Sequence, residues 1–303
     1  MTIDFTRLGE GDGLLVTPAT GQASLAEIDQ VGLVELLADA GHLLIRGFPA
    51  SVEDFNALVQ RHSSRTTLDP ARTFHGSAAQ KVDSGHDPIG LHLENGATPF
   101  APDLLWFHCV KAAGSGSQTT VCDGYRVWEA LSESTRQLFT AQPITFARNV
   151  PAALWRRLAA FLANDGRTPE DMTVESLYQL ANPGSQASFV EINEGGDLRY
   201  EYAMYAAHPT KWSSRVAWAN SILGPSFNYE APDIRFADGT RIPDDAVAEY
   251  TEVTEKLTEE IAWQDGDIVL IDNSRVMHGR RAITDPDRTI LNSQSYAKEK
   301  VAA

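Results

Sequence analysis

A His-x-Glu triplet at His92 to Glu94, with a third histidine, His278, lying 186 residues further along, constrains this chain more than any other feature. Side chains two apart on a strand point to the same face, so His92 and Glu94 can grip one metal ion together. The third ligand must come from elsewhere in the fold. It follows Ile268-Val269-Leu270-Ile271, a short apolar run bounded by Gly266-Asp267 that reads as a buried strand. The three side chains can therefore act together only if distant β-segments are brought side by side.

The rest of the pattern mixes helix and strand. Ser24 to Glu27 has capping-box spacing, and Ile28, Val31, Leu33, Val34 and Leu37 follow near helical period until Gly41. This helix should feed a strand over 43–46. A second helix should start at Ser51 and share Phe55, Leu58 and Val59 on one face. Residues 64–90 lack periodicity and are expected to form a loop beside the metal site. Strand character returns over 104–110 and 118–123, with Gly114 to Ser117 as the turn between, and a helix is expected over 125–140. Residues 143–207 read as an insertion with two amphipathic helical pieces, Ala152 to Ala163 and Thr173 to Leu180, serving as a lid or a brace. A strand at Val216 to Asn220 and a helix running from Ala246 to Ile261 complete the pattern. These elements alone give a mixed α and β chain, read as one domain over 1–303.

A net charge of −16 and a pI near 4.8 oppose binding to phosphate backbones or anionic membranes. No nucleic-acid or membrane partner is expected, and the expected partner is a small molecule. There is no run of 18 apolar residues, and Met1 to Phe5 lacks the basic and apolar regions of a signal peptide, which points to the cytoplasm. Cys109 and Cys122 are expected to be buried thiols.

Two imidazoles and one carboxylate leave three positions open on a divalent ion, the arrangement used by non-haem Fe(II) oxygenases. A Zn(II) hydrolase with one bound water could use the same three residues. The stretches Glu94-Asn95-Gly96, Pro102 to Cys109 and Gly114 to Gly124, with Asp272 to Arg280 and Gly41 to Phe48, resemble the taurine dioxygenase and clavaminate synthase-like family. The resemblance covers nearly the whole chain. It implies a double-stranded β-helix, or jelly-roll, core flanked by helices. It also implies Fe(II) as cofactor, 2-oxoglutarate and O2 as cosubstrates, and succinate as a product. Arg288, ten residues after His278, matches the arginine that binds the far carboxylate of 2-oxoglutarate, ahead of the nearer Arg280 and Arg281. Thr119 matches the threonine that supports the same carboxylate.

A glutamate as the acidic ligand resembles clavaminate synthase and the related arginine and asparagine oxygenases, which suggests a small, polar, amino-acid-like substrate. Taurine-oxidising relatives carry a second arginine four residues after the first; here Asn292 stands in that position. Arg72, His75, Tyr202, Trp218 and Asn292 are candidate substrate contacts, whereas His108 reads as a core imidazole. Hydroxylation, desaturation and ring closure of a larger scaffold all remain open, as does oligomeric state.

Overall fold

The computed structural model of the protein describes residues 3–19, 24–67, 73–82, 85–225 and 230–298. Side chains of the strand Leu104–Lys111 alternate between two buried environments. Leu105, Phe107 and Cys109 face one apolar cluster, and Leu104 and Trp106 face another. The antiparallel neighbour Ile268–Asp272 divides in the same way, with Val269 and Ile271 on one side and Ile268 and Leu270 on the other. Burial on both faces explains its uninterrupted apolar run. These two strands sit inside a nine-stranded sheet. Its order runs Ile3–Arg7, Leu14–Pro18, His42–Ile45, Ile268–Asp272, Leu104–Lys111, Thr289–Ala297, Ala79–Lys81 and Phe74–His75, with Ser63–Thr66 also paired to Thr289–Ala297. Helices Leu33–Ala40 and Val52–His62 cover its outer face through Leu37, Phe55, Leu58 and Val59.

A four-stranded sheet, ordered Glu259–Ile261, Thr119–Asp123, Val276–Arg280 and Ile89–His92, packs on the inner face. Val121, Ile261 and Val276 meet Leu105, Phe107, Val269 and Ile271 between the layers. Alternate residues Leu91, Cys122 and Met277 point outward to Val127, Phe139 and Tyr250 on the helices Gly124–Ala130, Glu133–Ala141 and Asp244–Leu257. The result is the expected jelly-roll core, mainly β and flanked by helices. Gly114 to Ser117 lies on the connection between the two sheets and is not a hairpin turn. Gly116 has φ +65°, and a Cβ there would lie 2.3 Å from Thr284 Oγ1, so the crossover needs glycine.

Several elements differ from the sequence reading. The first helix is divided at Gly32, whose φ of 64° separates a 3-10 turn over Leu25–Val31 from Leu33–Ala40. The helix expected over 125–140 is two helices, because Ser132 caps the second by accepting from Thr135 N at 3.2 Å. The helix expected to reach Ile261 ends at Leu257, and Ile261 belongs to an edge strand of the small sheet. The segment 64–90 contains short strands, whose edge and loop positions hide their alternation. The strand expected at Val216 runs Ser213–Trp218 and pairs with Ala207–Thr210.

The insertion does contain the helices Ala152–Ala163 and Val174–Leu180, but it is not only helical. Gln186–Glu191, Leu198–Met204 and Ile144–Val150 join Asp233–Phe236 in a further sheet. Phe100, Trp155, Met172, Leu177 and Phe189 form a separate apolar cluster beneath it. Cys109 and Cys122 are free and buried, and burial pushes both thiols up to about 12. No helix among the described residues is long and apolar enough to cross a membrane.

Candidate active site

His278 and His92 are cross-strand partners on Val276–Arg280 and Ile89–His92, and their ring centroids are 4.2 Å apart. The His92 strand stops at that residue, so Glu94 does not lie on it as the spacing suggested. Instead the chain leaves the sheet and turns, with Asn95 in the left-handed region at φ 53°. Side chains take the place of a neighbouring strand. Ser221 Oγ accepts from Leu93 N at 3.2 Å and donates to Leu93 O at 3.1 Å. Asn273 Oδ1 accepts from Glu94 N at 2.8 Å, while Asn273 Nδ2 donates to Glu94 O at 3.1 Å.

Held in this way, Glu94 Oε2 lies 3.6 Å from His278 Nε2. One donor atom from each of His92, Glu94 and His278 lies within 4.8 Å of the others, the only such group of three among the described residues. The hydrogen bond of 2.8 Å between His92 Nδ1 and Gly90 O fixes the tautomer. A carbonyl only accepts, so Nδ1 carries the proton and Nε2 keeps its lone pair for a metal. Two neutral nitrogens and a carboxylate suit a divalent ion of intermediate softness.

The three residues open on a cavity between the sheets. Val82, Ile89, Phe107 and Ile290 form its apolar walls, and Thr119, Arg280, Arg288 and Asn292 supply polar groups. Arg280 and Thr119 are cross-strand neighbours. Arg288 is half-buried just before the strand Thr289–Ala297, and its Nη2 is buried without a hydrogen-bond partner among the described residues. Burial lowers the Arg288 pKa; burial and then the Arg288 charge lower that of Arg280. Arg280 Nη2 donates to the Gly85 and Asp87 carbonyls at 3.0 and 2.7 Å. A carboxylate entering this end of the cavity would meet two cations and relieve their repulsion. Thr119 Oγ1 accepts from Trp263 Nε1 at 3.1 Å, which leaves its own O–H to donate. Arg281 instead faces outward onto Glu255 and Glu260 at 3.0 and 2.7 Å.

The substrate candidates separate. Asn292 lines the cavity, and its Oδ1 is buried without a partner among the described residues. Trp218 does not line it: the ring is 1 % exposed and packed 4.6 Å from Phe139, with a strand position that simply serves the core. Tyr202 packs between two apolar clusters away from the cavity walls, and burial raises its pKa. His75 lines a separate surface depression with Asn56 and Gln60. Arg72 lies outside the described residues. His108 stacks on Phe55 at 5.2 Å as a core imidazole whose pKa burial lowers. The sequence reading missed Phe107 as a wall, although its alternation with Leu105 placed it on the inner face. It placed Arg280 behind Arg288, and both line the cavity, Arg280 two residues after His278 on the same strand.

The family model described as "Taurine catabolism dioxygenase TauD, TfdA family" matches residues 16–294. A clavaminate synthase-like protein of Arabidopsis thaliana is 25% identical over 286 residues, covering 86% of this chain and 83% of the relative. The dapdiamide synthesis protein DdaC of Enterobacter agglomerans is 25% identical over 295 residues, covering 88% and 86%. Among solved structures, PvcB from Pseudomonas aeruginosa superposes with a TM-score of 0.65 at 15% identity over 98% of this chain and 92% of that one. A second PvcB structure, with TM-score 0.59, 16% identity and the same coverage, is described as an Fe, alpha-ketoglutarate dependent oxygenase from an isonitrile synthetic pathway.

Proposed function

We propose, for a chain that belongs to the TauD, TfdA family of dioxygenases, an Fe(II)- and 2-oxoglutarate-dependent oxidation of an unactivated C–H bond in a small, polar, amino-acid-like metabolite. The observation that carries this reading is the placement of the His92, Glu94 and His278 donors in one cavity with a half-buried Arg288 whose Nη2 has no hydrogen-bond partner among the described residues. Bound iron would supply dioxygen activation coupled to conversion of 2-oxoglutarate to succinate and CO2.

The residues then divide the work. His92, Glu94 and His278 would hold the metal, next to a cavity that can admit cosubstrate. Arg288 takes the far carboxylate of 2-oxoglutarate through its planar fork, and the Thr119 hydroxyl donates to the same group. Phe107, Ile89 and Ile290 keep water from the reacting centre and so strengthen the charge contacts inside. Asn292 presents a buried acceptor to a donor on the substrate. A relative named for dapdiamide synthesis supports a place in specialised metabolism.

The test is succinate formation from 2-oxoglutarate with Fe(II) across a panel of amino acids and their derivatives, read with product mass. A gain of one oxygen marks hydroxylation, and a loss of two hydrogens marks desaturation or ring closure. Succinate formation stimulated by no amino-acid-like compound, but by another class, would overturn the substrate assignment.

A further inference from the structure

We propose that Asn273 is a positioning residue for the Glu94 carboxylate, and that Ser221 assists it from the preceding residue. The inference rests on the reading of His92, Glu94 and His278 as metal ligands. Glu94 presents a geometric problem that its neighbours on the sheet do not share. His92 and His278 are fixed by a strand ladder, whereas the ladder ends before Glu94 and the following Asn95 is left-handed. A backbone free to rotate at this place would swing the carboxylate away from the two imidazoles.

Asn273 removes that freedom. Its side chain is 2 % exposed and makes three hydrogen bonds: it accepts from Glu94 N at 2.8 Å and donates to Glu94 O at 3.1 Å and to Pro102 O at 2.9 Å. The network also settles the amide orientation, because the peptide N–H must meet the oxygen and the two carbonyls must meet the NH2 group. Asn273 is itself held by donation of its backbone N–H to Asp103 O at 3.0 Å. It stands five residues before His278, on the turn joining Ile268–Asp272 of the large sheet to Val276–Arg280 of the small one. One turn thus sets both the histidine at the end of the chain and the carboxylate near its beginning. Ser221, also 2 % exposed, grips both backbone groups of Leu93 from the other direction.

Outer partners that orient metal ligands typically change metal affinity by about 10- to 100-fold when removed. The test compares wild type, Asn273→Ala, Asn273→Asp and Asn182→Ala, measuring Mn(II) affinity by EPR, the Co(II) d–d spectrum and the Tm of metal-free protein. Asn182 is the control, since its amide also makes contacts on both sides, to Ala101 O and the Tyr296 hydroxyl, without touching a ligand residue. The expected result is Mn(II) binding weakened by about 10- to 100-fold and an altered Co(II) spectrum in Asn273→Ala, with Asn182→Ala binding like wild type despite a lower Tm. Asn273→Asp keeps the acceptor for Glu94 N but faces two carbonyls with a carboxylate oxygen; it should weaken binding similarly and serves if the alanine variant does not fold. Wild-type affinity and an unchanged spectrum in a folded Asn273 variant would overturn the positioning role alone. A wild-type protein that binds neither ion would overturn the metal reading itself.

Discussion

At the scale of single residues, Arg288 and Thr119 should differ in what they contribute to 2-oxoglutarate binding. A charge-assisted hydrogen bond is worth about 1.5 to 3 kcal/mol and a neutral one about 0.5 to 1.5, and each 1.4 kcal/mol is about tenfold in affinity. Arg288→Leu should weaken 2-oxoglutarate binding by roughly ten- to more than a hundredfold, and Thr119→Val by about tenfold or less. The compound 2-oxobutanoate, which lacks the far carboxylate, should bind wild type and Arg288→Leu about equally. Equal losses for both acids, measured by calorimetry, would make Arg288 structural and shift the role to Arg280.

His42 offers a second prediction. Its ring is buried, neither nitrogen has a hydrogen-bond partner among the described residues, and burial lowers its pKa to about 4. In this pH range the unfolded chain binds the proton and the folded chain does not. Stability present above the unfolded value near 6.5 is therefore lost as pH falls from 6.5 through 4, by about 3 kcal/mol in all. Urea unfolding of His42→Leu should show a shallower loss over that window; an unchanged slope would count against it. The sequence marked His92, Glu94 and His278 by residue type, but the shared strand that the His-x-Glu spacing suggested ends at His92, and a turn at Asn95 brings Glu94 to the two histidines instead. The role of Trp218 was not legible, because an aromatic residue on a strand looks the same whether it faces a substrate or Phe139.

At the scale of elements, alternation and capping identified most strands and helices, including the helix started by Ser51, whose hydroxyl accepts from Asp54 N at 3.1 Å. Breaks were harder to see. Gly32 and Ser132 divide helices whose apolar spacing continues across the interruption, and periodicity cannot report a change of axis direction. The sheet within the insertion was hidden for a related reason: among the described residues its strands pair with one another and with Asp233–Phe236, far along the chain. Because this unit has its own apolar cluster, damage to it should remain partly local. Trp155 is 3 % exposed and donates through Nε1 to Gly196 O at 2.9 Å. Trp155→Ala should cost about 3 to 5 kcal/mol. Limited proteolysis should then cut first within 152–200, while Mn(II) binding by the remaining core persists. Loss of metal binding before any cut in the insertion would show that the two parts unfold together.

At the scale of the whole molecule, function depends on two sheets meeting face to face. The large sheet contributes Phe107 and Asn292, with Arg288 just before one of its strands; the small sheet contributes His92, Thr119, His278 and Arg280. On Thr119–Asp123 and Val276–Arg280, Cys122 and Met277 face the helices while Thr119, His278 and Arg280 face the cavity, so core and site alternate along the same strands. The jelly roll itself was not legible from periodicity, which yields strands but not their partners; the family resemblance supplied it. This cavity should bind Fe(II) through His92, Glu94 and His278 and then chelate 2-oxoglutarate. Anaerobic titration of the Fe(II)-loaded protein with 2-oxoglutarate, followed by the visible charge-transfer absorption of a chelated 2-oxo acid, tests this most directly. A saturable band should appear in wild type, require higher 2-oxoglutarate in Arg288→Leu and be absent in His278→Ala; no band in wild type, or the same band in His278→Ala, would contradict the claim.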